Sequence, residues 1–285
     1  MKILLLLASL CGTLAGQQAP AKYPETLPAG VKLDANLAYA QHPETVLDVF
    51  APAPQATAKH PAMIVIHGGG WVGGTKEAVY ESFVRRYLEK GFVVANVEYR
   101  LAKAAKAPAA VEDALRAANW FLDNCARWNV DRKRVGVTGG SAGGHLALMV
   151  GMANKSAGLG KPVKVAAVVN FYGITDVADQ LSGANMRKYA VTWIPDEPGR
   201  IDLARRVSPL TYVRKDVPPV LTIHGDADQT VPYEHGIQIT KALVDAGARA
   251  EMISVAQGAH GFPKEKLDQL YPQIFEFLTR HGILR

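Results

Sequence analysis

A chain of 285 residues with 48% hydrophobic and only 20% charged residues has enough apolar sequence to bury a large core, so we expect one compact domain. The formal net charge of +6 is modest, and the basic residues are scattered rather than gathered into one run. Because this pattern lacks the concentrated basic surface that binds phosphates, no nucleic-acid partner is expected.

The N-terminus has the pattern of a secretory signal peptide. Lys2 precedes a short apolar run, and small residues follow at Ala15 and Gly16, where a signal peptidase would cut. We therefore expect residues 1–16 to be removed and residues 17–285 to form an exported domain, periplasmic or extracellular. The apolar run is far shorter than the ~20 residues that cross a bilayer, so stable membrane insertion is not expected.

Two cysteines bear on the fate of the exported chain. Cys11 raises lipoprotein anchoring as an alternative, but Leu10 is large where lipid attachment requires a small residue. After cleavage Cys125 is the only cysteine, which excludes an internal disulfide, and its amphipathic setting predicts a small buried side chain. Cysteine and histidine residues form no cluster with metal-ligand spacing, so neither a metal nor another cofactor is expected.

The first predicted elements are a strap and a hairpin. Residues 23–33 carry two prolines and a glycine, which favours an irregular segment over the surface. Strand-like runs at residues 37–40 and 46–50 flank a break at Pro43 and predict a β-hairpin. Residues 51–61, rich in alanine and proline, predict a surface loop.

From residue 63 onward, short apolar runs alternate with amphipathic stretches. The runs are rich in Val and Ile and resemble strands that are covered on both faces. They lie at residues 63–66, 92–97, 135–138, 165–170, 220–223 and 252–255. The amphipathic stretches predict helices at residues 77–90, 109–127, 142–152, 233–246 and 267–281. Strict alternation predicts an α/β fold with a doubly wound, mostly parallel sheet.

Residues 172–217 break this alternation because they contain no clear strand pattern. The segment carries tyrosine, tryptophan and proline residues and is too apolar for a simple linker. Loops this long inside a compact domain usually have a function, so we expect a small helical insert that forms a lid or a pocket wall.

The strongest chemical signal is a glycine-rich turn around Ser141. The segment Val135-Gly-Val-Thr-Gly-Gly-Ser-Ala-Gly-Gly-His places G-x-S-x-G between a predicted strand and a predicted helix. Small residues let the chain reverse so tightly that the Ser141 hydroxyl projects above the sheet edge, as in a nucleophile elbow. The following helix points its N-terminus and its backbone N–H groups at the same place.

A second glycine-rich segment, His67-Gly-Gly-Gly-Trp, follows the strand predicted at residues 63–66. Consecutive glycines let backbone N–H groups turn toward a developing oxyanion, so Gly69, Gly70 and the Ala142 N–H are assigned to an oxyanion hole. His67 is expected to hold the loop by hydrogen bonds rather than to act as a base.

Two further segments supply an acid and a base. Asp228 lies in His-Gly-Asp-Ala-Asp-Gln-Thr-Val-Pro after one predicted strand, and His260 lies in Gly-Ala-His-Gly-Phe after the last. An imidazole must take the serine proton, and a carboxylate must orient the imidazole, so Ser141, His260 and Asp228 form the predicted triad. Asp226 competes for the acid role, and we assign it instead to stabilising the turn.

Together these four segments resemble the esterase/lipase branch of the α/β-hydrolases, which includes hormone-sensitive-lipase-like carboxylesterases and bacterial feruloyl or acetyl carbohydrate esterases. The resemblance runs from about residue 47 to the C-terminus. It implies the same oxyanion donors, Gly69, Gly70 and Ala142. The hormone-sensitive-lipase branch usually has an acidic residue before the serine, where this chain has Gly140, and a longer N-terminal cap. The His-Gly-Asp-Ala-Asp-Gln-Thr-Val-Pro segment and the short N-terminus resemble the carbohydrate-ester branch more closely.

The predicted function is hydrolysis of short-acyl or aromatic-acyl esters, such as acetylated or feruloylated carbohydrates, through an acyl-enzyme. Trp71, beside the glycine run, and Trp193, in the insert, are the candidates for lining the substrate pocket. Two alternatives stay open: a serine peptidase or amidase of the same fold, and a non-catalytic binding protein. The expected partner is a small-molecule or carbohydrate ester, and the sequence does not define an oligomeric state.

Overall fold

The computed structural model describes residues 22–53 and 58–285, so the predicted signal peptide and Cys11 lie outside the described residues. Eight strands form one sheet: β1 (Lys32–Ala38), β2 (Val46–Ala51), β3 (His60–Ile66), β4 (Val93–Val97), β5 (Val130–Gly140), β6 (Ala167–Phe171), β7 (Val220–Gly225) and β8 (Ala250–Val255). Their order is β1-β2-β4-β3-β5-β6-β7-β8. Only β2 runs antiparallel to its neighbours, β1 and β4, and the remaining pairs are parallel.

Helices cover both faces of this sheet. They are α1 (Arg85–Leu88), α2 (Ala109–Asn124), α3 (Ala142–Met152), α4 (Lys188–Trp193), α5 (Arg200–Arg206), α6 (Glu234–Asp245) and α7 (Lys264–Arg280). Side chains alternate along the central strands, so Ile64 and Ile66 join one apolar cluster while Met63 and Val65 join the other. This layered arrangement confirms the predicted fold class. Within residues 22–53 and 58–285, no helix combines the length and apolar character needed to cross a membrane.

The predicted helix at residues 77–90 and the predicted strap differ in detail from the structure. The stretch predicted as one helix at residues 77–90 passes through a 3₁₀ turn (Lys76–Val79) and a π turn (Tyr80–Val84) before α1. A π turn shifts the helix register by one residue, which lets Tyr80, Phe83 and Val84 all be buried on the same side. The predicted strap is shorter than residues 23–33, because β1 begins at Lys32 and pairs with β2.

The prediction that the strand at residues 252–255 is covered on both faces is wrong. β8 is the last strand in the sheet order, so one of its edges has no neighbouring strand. Glu251 and Ser254 are exposed, and Val255 is the one buried residue of the strand. In β8 a continuous apolar run therefore occurs in an edge strand.

The insert at residues 172–217 contains α4, α5 and two 3₁₀ turns, Ala178–Leu181 and Pro209–Tyr212. It is held against the start of α6 by the buried His235, whose Nε2 lies 3.1 Å from an Asp179 carboxylate oxygen. The Nδ1 of the same ring accepts a hydrogen bond from the Thr175 backbone N–H at 3.0 Å. The insert is thus fixed beside the carboxyl ends of the parallel strands, where open α/β sheets bind ligands.

Candidate active site

Ser141 occupies the sharp junction between β5 and α3. Its backbone has φ 59° and ψ −124°, a left-handed conformation that costs energy for any residue except glycine. The Ser141 N–H donates to the Phe171 carbonyl at 3.0 Å, and the Ser141 carbonyl accepts from the His145 N–H at 2.9 Å. These bonds to β6 and within α3 hold the strained residue in place.

The three predicted triad residues meet at the carboxyl ends of β5, β7 and β8. His260 Nε2 lies 3.0 Å from Ser141 Oγ. His260 Nδ1 lies 2.7 Å from Asp228 Oδ2. A base within hydrogen-bond reach of a hydroxyl, and itself oriented by a carboxylate, is the arrangement that makes a serine nucleophilic.

The Asp228 carboxylate is buried and lies within reach of four N–H groups, of which that of His224 is shared with the Val231 carbonyl oxygen, 3.0 Å from His224 Nε2. Oδ1 accepts from the Thr230 and Val231 N–H groups at 2.8 and 3.0 Å. Oδ2 faces His260 and also His224, whose Nε2 is 3.4 Å away. Burial opposes the negative charge, but hydrogen bonds from His224 and His260 outweigh it and hold the pKa of Asp228 well below its usual range.

His224 is a part of this site that the sequence reasoning missed. The sequence feature that could have revealed its role is its position four residues before Asp228 in the same segment. By contrast, the competing acid Asp226 is exposed and, among the residues that the structure describes, accepts a hydrogen bond only from the Gln257 N–H, at 2.6 Å. Asp226 therefore ties two loops together and does not contact the His260 ring.

The glycine loop after β3 lies beside Ser141. Gly69 has φ +115°, and a Cβ there would meet the Gly73 carbonyl oxygen at 2.0 Å, so only glycine fits. Among residues that the structure describes, no protein acceptor pairs with the N–H groups of Gly69, Gly70 or Ala142. These three donors stand ready for an oxygen of a bound molecule.

His67 holds the glycine loop, as the sequence predicts. Its buried ring stacks on Tyr99 with centroids 4.3 Å apart. Nε2 lies 2.8 Å from a Glu98 carboxylate oxygen, and Nδ1 lies 2.7 Å from the Gly68 carbonyl. Because both ring nitrogens lie at hydrogen-bond distance from these oxygens, His67 supports the glycine loop.

The interpretation of Trp71 and Trp193 as pocket walls does not fit the structure. Both side chains are fully buried and stack on each other, with centroids 4.1 Å apart and an interplanar angle of 14°. The Trp71 Nε1–H donates to His145 Nδ1 at 3.1 Å. The two rings lie beneath the glycine loop and join it to the insert, so they support the site without lining it.

A cavity of about 470 Å³ opens above Ser141 and is lined instead by two tyrosines that sequence reasoning missed. Tyr189, from α4, covers the glycine loop, and a Cβ on Gly70 would lie 2.7 Å from its side chain. Tyr172, the first residue after β6, borders the cavity beside His260. The long insert was one signal for Tyr189, and the position directly after a predicted strand was the signal for Tyr172.

The sheet and the Ser141–His260–Asp228 arrangement define an α/β hydrolase. The chain belongs to the BD-FAE family, whose model matches residues 47–243. It is 27% identical over 232 residues to the esterase LipQ of Mycobacterium tuberculosis, an alignment that covers 76% of this chain and 54% of LipQ. The chain thus spans about half the length of that curated relative.

Solved structures of esterases share the fold over nearly the whole described chain. A truncated carbohydrate esterase from gut microbiota is 29% identical with a TM-score of 0.78, and the match covers 88% of this chain and 96% of that one. Esterase 2 of the planctomycete Thermogutta terrifontis, with propionate bound, is 26% identical with a TM-score of 0.73, covering 90% and 96%. These likenesses confirm the resemblance to the esterase/lipase branch.

His145, beneath the site, gives protein stability a predicted pH dependence. Burial of the ring lowers its pKa to about 4, and the hydrogen bond to the Val207 carbonyl offsets part of this effect. Between the unfolded value of about 6.5 and this folded value, only the unfolded chain binds the proton. With respect to this group, the free energy of unfolding is therefore highest above about pH 6.5, and it decreases as the pH falls toward about 4. We expect His145→Gln to flatten the slope of unfolding free energy against pH in this range by up to about 1.4 kcal/mol per pH unit.

Urea unfolding at a series of pH values measures this slope. His42→Gln is the matched control, because it makes the same substitution at an exposed ring. A slope in His145→Gln equal to that of the wild-type protein would contradict the prediction.

Proposed function

We propose that this chain is a serine carboxylesterase that works through an acyl-enzyme, with Ser141 as nucleophile, His260 as general base and Asp228 as the orienting acid. The observation that carries the proposal is the continuous relay from Asp228 to His260 to Ser141, at 2.7 and 3.0 Å, above a strained serine backbone. Backbone strain at such a position is maintained where a site requires it.

The geometry supports the following steps. Ser141 Oγ attacks the ester carbonyl carbon while its proton passes to His260 Nε2. The carbonyl oxygen becomes an oxyanion that accepts hydrogen bonds from the N–H groups of Gly69, Gly70 and Ala142. Collapse of this intermediate breaks the bond to the alcohol oxygen, which takes the proton from His260. A water molecule then attacks the acyl carbon while His260 takes its proton; the bond from the acyl carbon to Ser141 Oγ breaks, the acid leaves, and His260 returns the proton to Ser141 Oγ.

We also propose that the substrates carry short or aromatic acyl groups on a bulky alcohol, such as acetylated or feruloylated carbohydrates. The similar esterase 2 has been solved with propionate and with butyrate bound, and another similar structure is that of a carbohydrate esterase. The insert supports this proposal, because its polar groups anchor it to the domain: Arg187 donates to the Gln229 and Thr230 carbonyls at 2.6 and 2.9 Å. A lipase lid would instead present a broad apolar face.

Export of the mature domain from the cytoplasm remains part of this proposal. It rests on the signal-peptide pattern of residues 1–16 alone. Substrates outside the cytoplasm include polymers and their fragments, which agrees with a bulky alcohol. Sequencing the N-terminus of the protein recovered from the culture medium or periplasm tests this part, and an intact Met1 would contradict it.

Ser141→Ala is expected to reduce ester turnover by at least about 10⁴-fold, because only the nucleophilic oxygen is removed. It should also prevent labelling by an active-site fluorophosphonate, which separates an enzyme from a binding protein of the same fold. Hydrolysis of p-nitrophenyl acetate and mass spectrometry of the labelled chain are the measurements. Ser156→Ala, at an exposed serine, is the control that should label fully. Unchanged turnover by purified, folded Ser141→Ala would remove the central assignment.

The two aspartates are expected to differ sharply. Asp228→Asn should lower kcat by about 10⁴-fold, because the amide no longer holds the His260 tautomer that accepts the serine proton. Asp226→Asn should lower kcat by less than about tenfold, since Asp226 makes one exposed loop contact. Steady-state kinetics on p-nitrophenyl acetate compare the variants. The opposite ranking would transfer the acid role to Asp226.

The acyl preference is tested with p-nitrophenyl esters from acetate to decanoate. We expect kcat/KM for acetate or butyrate to exceed that for decanoate, in line with the propionate and butyrate complexes of the similar esterase 2. Acetylated xylan and methyl ferulate extend the series to carbohydrate and aromatic-acyl esters, and the matching p-nitroanilide separates an esterase from an amidase. A higher kcat/KM for decanoate would favour a lipase-like role instead.

A further inference from the structure

Tyr172 has an unusual backbone directly beside the catalytic relay. It is the first residue after β6 and has φ +40°, a left-handed conformation that is rare for a bulky side chain. Its N–H donates to the Ile223 carbonyl of β7 at 2.8 Å, which fixes the residue between two strands. Strain of this kind is concentrated at sites with a function.

The ring of Tyr172 stands on the His260 side of Ser141. It meets the His260 ring edge-on with centroids 4.8 Å apart and the Phe262 ring at 5.3 Å. The glycine loop follows β3, whereas Tyr172 follows β6, and these two strands flank β5 on opposite sides. Tyr172 therefore faces Ser141 from the side opposite the proposed oxyanion donors.

The phenol oxygen of Tyr172 is a free hydrogen-bonding group at the cavity. Within the part of the chain that the structure describes, no side-chain or backbone hydrogen bond involves this oxygen, although Tyr172 lines the cavity. Burial, and secondarily the Asp228 charge, raise the pKa of the phenol well above its usual value. The group accordingly keeps its proton and is available as a donor.

Gly140 makes room for this hydroxyl. A Cβ on Gly140 would lie 2.9 Å from Tyr172 Oη, so a larger residue before Ser141 would push the phenol away. The hormone-sensitive-lipase branch usually has an acidic side chain at this position. In this chain the neutral hydroxyl of Tyr172 occupies the space instead.

We propose that Tyr172 Oη hydrogen-bonds a free hydroxyl on the alcohol part of the ester, next to the scissile oxygen, and so selects esters of polyhydric alcohols such as sugars. This inference rests on the proposed esterase function. In that function His260 returns its proton to the departing alcohol, so the alcohol lies on the His260 side of Ser141. That is the side where Tyr172 presents its unpaired oxygen.

The test compares trans-2-hydroxycyclohexyl acetate with cyclohexyl acetate. The two esters share the acyl group and the ring and differ by one vicinal hydroxyl. We expect the wild-type protein to prefer the hydroxylated ester, and Tyr172→Phe to lower the ratio of their kcat/KM values by about 3- to 10-fold, the range for one neutral hydrogen bond. The change should be found mainly in KM for the hydroxylated ester.

Tyr189→Phe is the matched control, because its hydroxyl lines the same cavity but is already paired with Gln180 Oε1 at 2.9 Å. It should keep the wild-type ratio. An unchanged ratio in Tyr172→Phe overturns the inference. If kcat/KM falls equally for both esters, the ratio is also unchanged, and Tyr172 would then act by positioning His260. Failure of the wild-type protein to hydrolyse p-nitrophenyl acetate would instead overturn the esterase proposal itself.

Discussion

The strained backbone of Ser141 is the constraint on which the rest of the site depends. β5 turns into α3 without an intervening loop; small residues make the turn possible, and one hydrogen bond to β6 and one within the first turn of α3 hold it. Ser141 is thereby raised above the sheet edge at a helix N-terminus. β3, β6, β7 and β8 are parallel to β5 and end at the same edge of the sheet. The loops that follow them therefore lie close to Ser141.

A second constraint is the buried charge of Asp228. A carboxylate removed from water needs compensation, and here two backbone N–H groups and two imidazoles provide it. The two backbone N–H groups hold Oδ1, which leaves Oδ2 directed at His260, with His224 on the β7 side of the same oxygen. The exposed Asp226, two residues earlier, has no such surroundings. The chemistry of these neighbouring acids therefore differs because of their environments and not because of their residue type.

The sequence was most informative where function depends on short segments. The alternation of apolar runs and amphipathic stretches predicted the fold class, and the glycines around Ser141 and after His67 marked the loops of the site. The order of Ser141, Asp228 and His260 predicted the three residues that the structure finds in contact. The residue types in such segments are determined by the local backbone conformation, so they can be recognised in a single sequence.

What could not be predicted depends on contacts between distant parts of the chain. Trp71 and Trp193 are 122 positions apart, and no local pattern shows that they stack on each other beneath the loop. The hydroxyl of Tyr172 occupies the space beside Gly140, a contact that exists only once β6 lies next to β5. The edge position of β8 likewise follows from strand order, which an apolar run does not encode.

The stacked indoles of Trp71 and Trp193 also give the protein an optical reporter of its own. Electronic transitions of two rings with centroids 4.1 Å apart couple, so their near-ultraviolet circular dichroism differs from that of two isolated tryptophans. The chain has two other tryptophans, Trp120 and Trp128, whose centroids are 6.3 Å apart. Because one ring of the closer pair belongs to the glycine loop and the other to the insert, the coupled signal follows the docking of the insert in unlabelled protein.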